Sequence, residues 1–302
     1  MWFPLLALTT WALFSPPTAE AREPIPIVVT IPVLKDLTEQ VGGPYVQVKS
    51  LLNGYENEHT YSPKPSDLIA VRKAKVLFEI GLGLEVWVAS LVKNAGDNRL
   101  RVITTSKGIE LIHDGGDMHE DMHPGTHEVQ PGGNPHIWLD PVNAATMLRH
   151  ITRALIDIDP DHATTFQANY EAYLQRLEQV QQELMTRTQR LSDRRFIAHH
   201  PAWPYLAKRF RLEIIDTIHT QSGTEPSALH LQQLITKINS QHIRVIASEI
   251  QLSQRLPELL SRDTKARVVV LTTMPGGLPG TESYLDMLRY NVLQLVGALE
   301  AT

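Results

Sequence analysis

The stretch 161-DHATTFQANYEAYLQRLEQVQQELMTRTQRL-191 contains neither glycine nor proline, and it places Phe166, Tyr170, Tyr173, Leu174, Leu177, Val180 and Leu184 at mostly three- and four-residue spacings. Such spacing lays one apolar stripe along a helix of about seven turns. The stripe is not a strict heptad, so a stiff connector fits it better than a coiled coil. Short β-branched runs lie on both sides. Before it come Ile25 to Ile31, Val46 to Leu51, Lys75 to Ile80 and Arg101 to Thr104; after it come Phe196 to Ala198, Leu212 to Asp216, Ile243 to Ser248 and Val268 to Thr272. Runs of this kind, separated by helical patterns, are strands of parallel sheets buried on both faces. The expected fold class is α/β: two lobes, each with a mostly parallel four-stranded sheet flanked by helices, joined by one long rigid helix. The expected division is residues 22–158, a connector over 159–191, and residues 192–302.

Residues 1–21, MWFPLLALTTWALFSPPTAEA, form an apolar run too short to span a bilayer comfortably, closed by Pro-Pro and a small-x-small site at Ala19 to Ala21. They read as a cleaved signal peptide, although no Lys or Arg precedes Arg22. Export follows, and with no lipobox cysteine the expected address is the periplasm. The 302 residues contain no cysteine at all. Disulfides and thiolate ligands are thereby excluded, and a site for a soft metal has to be built from imidazole and carboxylate. The formal net charge of -5 provides no clustered basic surface for phosphate, which argues against a nucleic-acid partner.

Thirteen histidines are present, and their positions matter more than their number. His59 lies in Asn53-Gly-Tyr-Glu-Asn-Glu-His-Thr-Tyr-Ser-Pro-Lys-Pro-Ser-Asp67, after a predicted strand and before a helix that Ser66 or Asp67 can cap. His136 lies in Asn134-Pro-His-Ile-Trp-Leu-Asp-Pro141, and His200 directly follows the strand ending at Ala198. All three fall in loops, and two of these loops follow strands, where open α/β sheets place ligands. A capping or surface role is the plain alternative for any one of them, but three such loops in a cysteine-free chain point to metal. His199, one step out of phase with His200, should face the other way and be structural. His150, His162, His219, His230 and His242 fall in no motif and are expected at the surface or at caps. Trp87, Trp138 and Trp203 are expected to pack the core and the walls of the cleft.

The segment 113–133 is of low complexity, with His113, His119, His123 and His127 among five carboxylates within residues 113–128. It is expected to be a loop that collects metal weakly.

These motifs resemble the metal-specific solute-binding proteins of bacterial zinc and manganese ABC transporters. The resemblance rests on Gly54 to His59 with Tyr61 to Asp67, Gly81-Leu-Gly-Leu-Glu85-Val-Trp87, Asn134 to Pro141, His200-Pro-Ala-Trp-Pro-Tyr205, Thr224-Glu-Pro-Ser227, Glu249 and Tyr284 to Asn291. It implies a metal held between two lobes by His59, His136 and His200, and delivery of Zn2+ to a membrane permease. A periplasmic metallochaperone is a further candidate partner, and the expected state is a monomer. The family usually adds an aspartate where this chain carries Thr273, so the fourth ligand is left among a water, Glu58 and the His-rich loop. Glu249 is expected either to hold a ligand imidazole from behind or to form an ion pair at the cleft edge. Three imidazoles with one oxygen suit zinc, whereas manganese prefers more carboxylate. A zinc hydrolase is the rival from another class, but no His-Glu-x-x-His or Gly-x-Ser-x-Gly motif supports it.

Overall fold

The computed structural model describes residues 23–96, 99–113, 133–220 and 224–301. The expected signal peptide and His119, His123 and His127 lie outside the described residues. Eight strands among them form two sheets. The first contains β1 (Ile25–Val29), β2 (Val46–Ser50), β3 (Val76–Glu79) and β4 (Arg101–Thr104) in the order β2-β1-β3-β4. The second contains β5 (Arg195–Ala198), β6 (Glu213–Thr217), β7 (Val245–Glu249) and β8 (Arg267–Leu271) in the order β6-β5-β7-β8. Every pairing is parallel. Each of the eight expected runs contributes a strand, and the lobes share one strand order.

The helices begin where the sequence allows. Those of the first lobe are α1 (Pro32–Gly42), α2 (Pro65–Lys73), α3 (Val88–Ala95) and α4 (Pro141–Ile158). α1, α2 and α4 have proline in the first turn, where a missing N–H costs nothing. α4 is capped by Asp140, whose carboxylate accepts the Val142 N–H at 2.8 Å. In α2 it is Asp67, at the third helical position, that accepts the Lys64 N–H at 2.8 Å, together with the Tyr61 hydroxyl at 2.6 Å.

The long helix, α5, spans Ala163–Gln189 and follows a 3-10 turn at Pro160–His162. At 27 residues it is about 40 Å long. Its buried residues are Phe166, Tyr173, Leu177, Val180, Leu184 and Thr188, one stripe as the periodicity requires. That stripe packs on α1 and α4 of the first lobe and on α6 (Pro204–Phe210) and α9 (Tyr284–Glu300) of the second. α9 is a second tie between the halves, which strand spacing does not reveal: the Tyr284 hydroxyl donates to the Trp138 carbonyl at 2.6 Å, and its backbone N–H donates to Asp36 at 3.1 Å.

A single apolar core runs through both lobes, from Val29, Phe78 and Trp138 to Phe196, Leu271 and Val292. On the second sheet the strand alternation divides the side chains. Phe196, Ala198, Val245 and Ala247 join that shared core, while Ile197 and Ile246 face a separate cluster with Leu234, Ile238 and Leu260. These last three come from α7 (Ala228–Ser240) and α8 (Arg255–Thr264). The halves are thus fused through packed apolar surface, which resists wide opening. No helix among the described residues is long and apolar enough to cross a membrane.

Candidate metal centre

The C-terminal ends of the two sheets face a common cleft, and four side chains meet there. Glu58, His59, His136 and His200 each offer one donor atom, all within 4.8 Å of one another. The His59 and His136 Nε2 atoms are 3.1 Å apart, and those of His136 and His200 are 3.3 Å apart. Glu58 Oε1 lies 3.7 Å from His136 Nε2. With metal–nitrogen bonds of about 2.0–2.1 Å, an edge of a tetrahedron is about 3.3–3.4 Å. These two separations therefore match edges of a tetrahedron around a single ion. Glu58, His136 and His200 are buried, and His59 is half-buried at the rim.

Two of the rings are held from behind. Glu249, wholly buried at the end of β7, accepts from His200 Nδ1 at 2.7 Å and from the Trp203 indole at 3.0 Å. Asn134 Oδ1 lies 2.9 Å from His136 Nδ1 and accepts the His136 backbone N–H at 3.0 Å. In both rings the hydrogen bond at Nδ1 leaves the Nε2 lone pair for the cluster. Asn134 itself is anchored across the cleft, its amide donating to the Pro201 carbonyl at 2.6 Å while its own carbonyl accepts the Tyr205 hydroxyl at 2.9 Å.

The electrostatics favour neutral imidazole at His59 and His136. Burial, reinforced by the charge of His200, lowers the His59 pKa to about 4. The same causes, with His59 added, hold His136 well below the usual histidine value. Burial pushes the Glu58 carboxyl up to about 7 against the opposing pull of His200. Burial would also raise Glu249, but the charge and hydrogen bond of His200, with His199 and Trp203, outweigh it and leave that carboxyl lowered. A buried carboxyl with one free oxygen beside three converging imidazoles is the donor chemistry of a divalent cation site.

Other residues fall into place around this cluster. His199 is buried and outside it, its Nδ1 3.3 Å from the Ser248 hydroxyl. Trp138 and Trp203 are fully buried, and Trp87 is half-buried against Tyr61. His150, His162 and His230 contact the Lys107 carbonyl, Asp159 and the Thr217 carbonyl respectively. His219 is half-buried, its Nδ1 2.7 Å from the Thr224 carbonyl. Its ring lies tilted at 5.3 Å from that of His199, and with Asn57, Glu225 and Arg255 it lines a cavity of ≈ 430 Å³ that opens onto His59 and His200. Its Thr-Ile-His context carries no signal that spacing could have revealed. Asn134 was legible only as part of a motif, because its function depends on a ring two residues away in a turn. His113 is exposed, at the start of the His-rich segment. Ile112 and Asn134, flanking that segment, are joined by a 2.7 Å backbone hydrogen bond.

Fold and site together define a two-lobed α/β binding protein that captures a metal ion between its lobes. Over residues 27–298 the chain matches the family described as "ZnuA: Zinc-uptake complex component A periplasmic", and it belongs to that family. It is 26% identical over 277 residues to the high-affinity zinc uptake system protein ZnuA of Bacillus subtilis (strain 168), covering 90% of this chain and 87% of that one. It is also 26% identical over 287 residues to the manganese-binding lipoprotein MntA of Halalkalibacterium halodurans, covering 93% and 91%. A solved crystal structure of ZnuA superposes with a TM-score of 0.80 at 30% identity, over 91% of this chain and 99% of that one. These relatives are metal-binding transport proteins, and the hydrolase alternative falls with that finding.

Proposed function

We propose that the protein is a periplasmic high-affinity zinc-binding protein that hands Zn2+ to an ABC-type permease, with His59, His136, His200 and Glu58 as the ligands. The observation that carries this reading is the approach of the His59 and His200 Nε2 atoms to His136 Nε2, at 3.1 and 3.3 Å, beside one buried carboxylate oxygen. Three imidazoles and one oxygen satisfy the tetrahedral preference of zinc, whereas manganese favours six oxygen-rich positions. Manganese remains the second reading because a relative of equal identity is manganese-binding. Residues 1–21 act in this reading as the export signal, residues 22–158 and 192–302 as the lobes and 159–191 as the connector. His113, His119, His123 and His127 form an outer collecting loop. The protein works as a monomer, and a metallochaperone is a candidate supplier of the ion.

The deciding experiment is elemental analysis of protein recovered from the periplasm, followed by competitive titration with a chelator. One tightly held zinc per chain is expected, lost in His136→Ala and retained when residues 113–127 are deleted. Manganese as the recovered metal, or tight binding that survives His136→Ala, refutes the assignment.

A further inference from the structure

Thr273 stands two residues beyond the end of β8. Its carbonyl accepts the Trp138 indole N–H at 2.7 Å, and the Trp138 ring lies 5.3 Å from that of His136. The backbone of Thr273 is thereby fixed against the wall that carries a ligand. Its hydroxyl is wholly buried and has no hydrogen-bond partner among the described residues. The same holds for Oε1 of Glu58, and the Thr273 hydroxyl lies close enough to that carboxyl to lower its pKa. A buried donor and a buried acceptor, near each other but short of a formed hydrogen bond, are a costly pair to keep unless they serve each other in another state.

We propose that Thr273 is the positioning and selectivity residue of the centre: its hydroxyl donates to one oxygen of Glu58 when that carboxylate turns onto the ion, leaving only the other oxygen to bind. This inference rests on the reading of Glu58 as the fourth ligand. A carboxylate whose second oxygen is occupied binds through one atom, which keeps the ion four-coordinate and favours zinc. Released, the carboxylate can bind through both oxygens and raise the coordination number, which favours manganese. Because Glu58 comes from the first lobe and Thr273 from the second, the hydrogen bond also joins the lobes across the ion.

The test is a cycle of Thr273→Val, Glu58→Gln and the double variant, with Thr273→Ser as the conservative control. Zinc and manganese affinities are read by chelator competition, and oxygen ligands are counted by X-ray absorption at the zinc edge. Thr273→Val should weaken zinc binding about tenfold, the size expected for one hydrogen bond to a charged acceptor, and should narrow the zinc-to-manganese ratio. Thr273→Ser should restore both, and in the Glu58→Gln background Thr273→Val should have no further effect. If valine does not pack at this buried position, judged by the melting temperature of the metal-free protein, Thr273→Ala takes its place. Equal effects of Thr273→Val with and without Glu58, or no rescue by serine, overturn the proposal alone. Unchanged zinc affinity in Glu58→Gln overturns the fourth-ligand reading, and the proposal with it.

Discussion

Replacing Glu249 by glutamine keeps its volume and removes its charge, so the substitution isolates what the carboxylate contributes from behind the metal centre. Glu249 is fully buried and takes two side-chain donors, His200 Nδ1 at 2.7 Å and the Trp203 indole at 3.0 Å. Once Nε2 of His200 binds a cation, the Nδ1 proton becomes more acidic and its hydrogen bond to an anionic acceptor strengthens. A hydrogen bond to a charged group contributes about 1.5–3 kcal/mol, and a neutral one about 0.5–1.5. The difference, about 1–2 kcal/mol, corresponds to a zinc affinity roughly 5- to 30-fold weaker. Chelator competition on metal-free Glu249→Gln should give that loss with one zinc still bound per chain, while His200→Ala should lose tight binding altogether. A Glu249→Gln dissociation constant within about twofold of wild type, against the 10- to 100-fold usual for such supporting groups, would falsify the claim that Glu249 orients and polarises the ring.

Protons and metal compete for the same atoms, so zinc affinity should fall as pH drops through the Glu58 pKa of about 7, and Glu58→Gln should flatten the pH slope of log K by about one between pH 7 and 5. His59, lowered to about 4, should add its own proton only near that pH, in contrast to the drop near 6.5 expected of free imidazole; an unaltered slope in Glu58→Gln refutes the first point. A Cβ on Gly54 would sit 2.5 Å from Gly277 N and 2.7 Å from the Pro275 carbonyl, backbone of the opposite lobe, so Gly54→Ala should wedge the cleft and weaken zinc at least tenfold by titration. Arg209 clasps Asp140 at 2.8 and 2.9 Å across the lobes, and Arg209→Ala should cost about 2 kcal/mol by leaving a buried carboxylate short of its partner, read as a lower melting temperature of the metal-free protein.

The elements legible in the sequence were those whose signal is local. Strands such as Val268 to Thr272 declare themselves through β-branching, and α5 through an uninterrupted stripe without glycine or proline. His59, His136 and His200 were legible because they stand in turns rich in proline and asparagine, where an imidazole has no packing reason to be. Glu58 was harder to assign, since its burial is a property of the fold and the groups that act on it, His200, Glu249 and Thr273, all come from the distant second half of the chain. α9 hid its bridging role for the same reason. Its sequence shows a buried helix, and only the fold shows that Tyr284 reaches Trp138.

The shared strand order of the lobes explains why their contributions to the centre differ. In each sheet the chain reverses its direction of winding between the two inner strands, β1 and β3 or β5 and β7, and the crevice beyond that point is the natural ligand position. The second lobe uses it directly, with His200 beyond the end of β5 and Glu249 at the end of β7. In the first lobe the equivalent crevice is filled by Glu85, whose buried carboxyl accepts from the Thr30 hydroxyl at 2.7 Å, the Ile80 N–H at 2.8 Å and the Gly81 N–H at 3.0 Å. With that position occupied, the first lobe would reach an ion in the proposed centre from its edges, through Glu58 and His59 in the loop after β2 and through His136 in the segment after β4. Three donors on long connections therefore meet one imidazole on a rigid strand end. Any adjustment that admits or releases the ion has its freedom in the first-lobe loops, because the core shared by both lobes leaves little for a hinge.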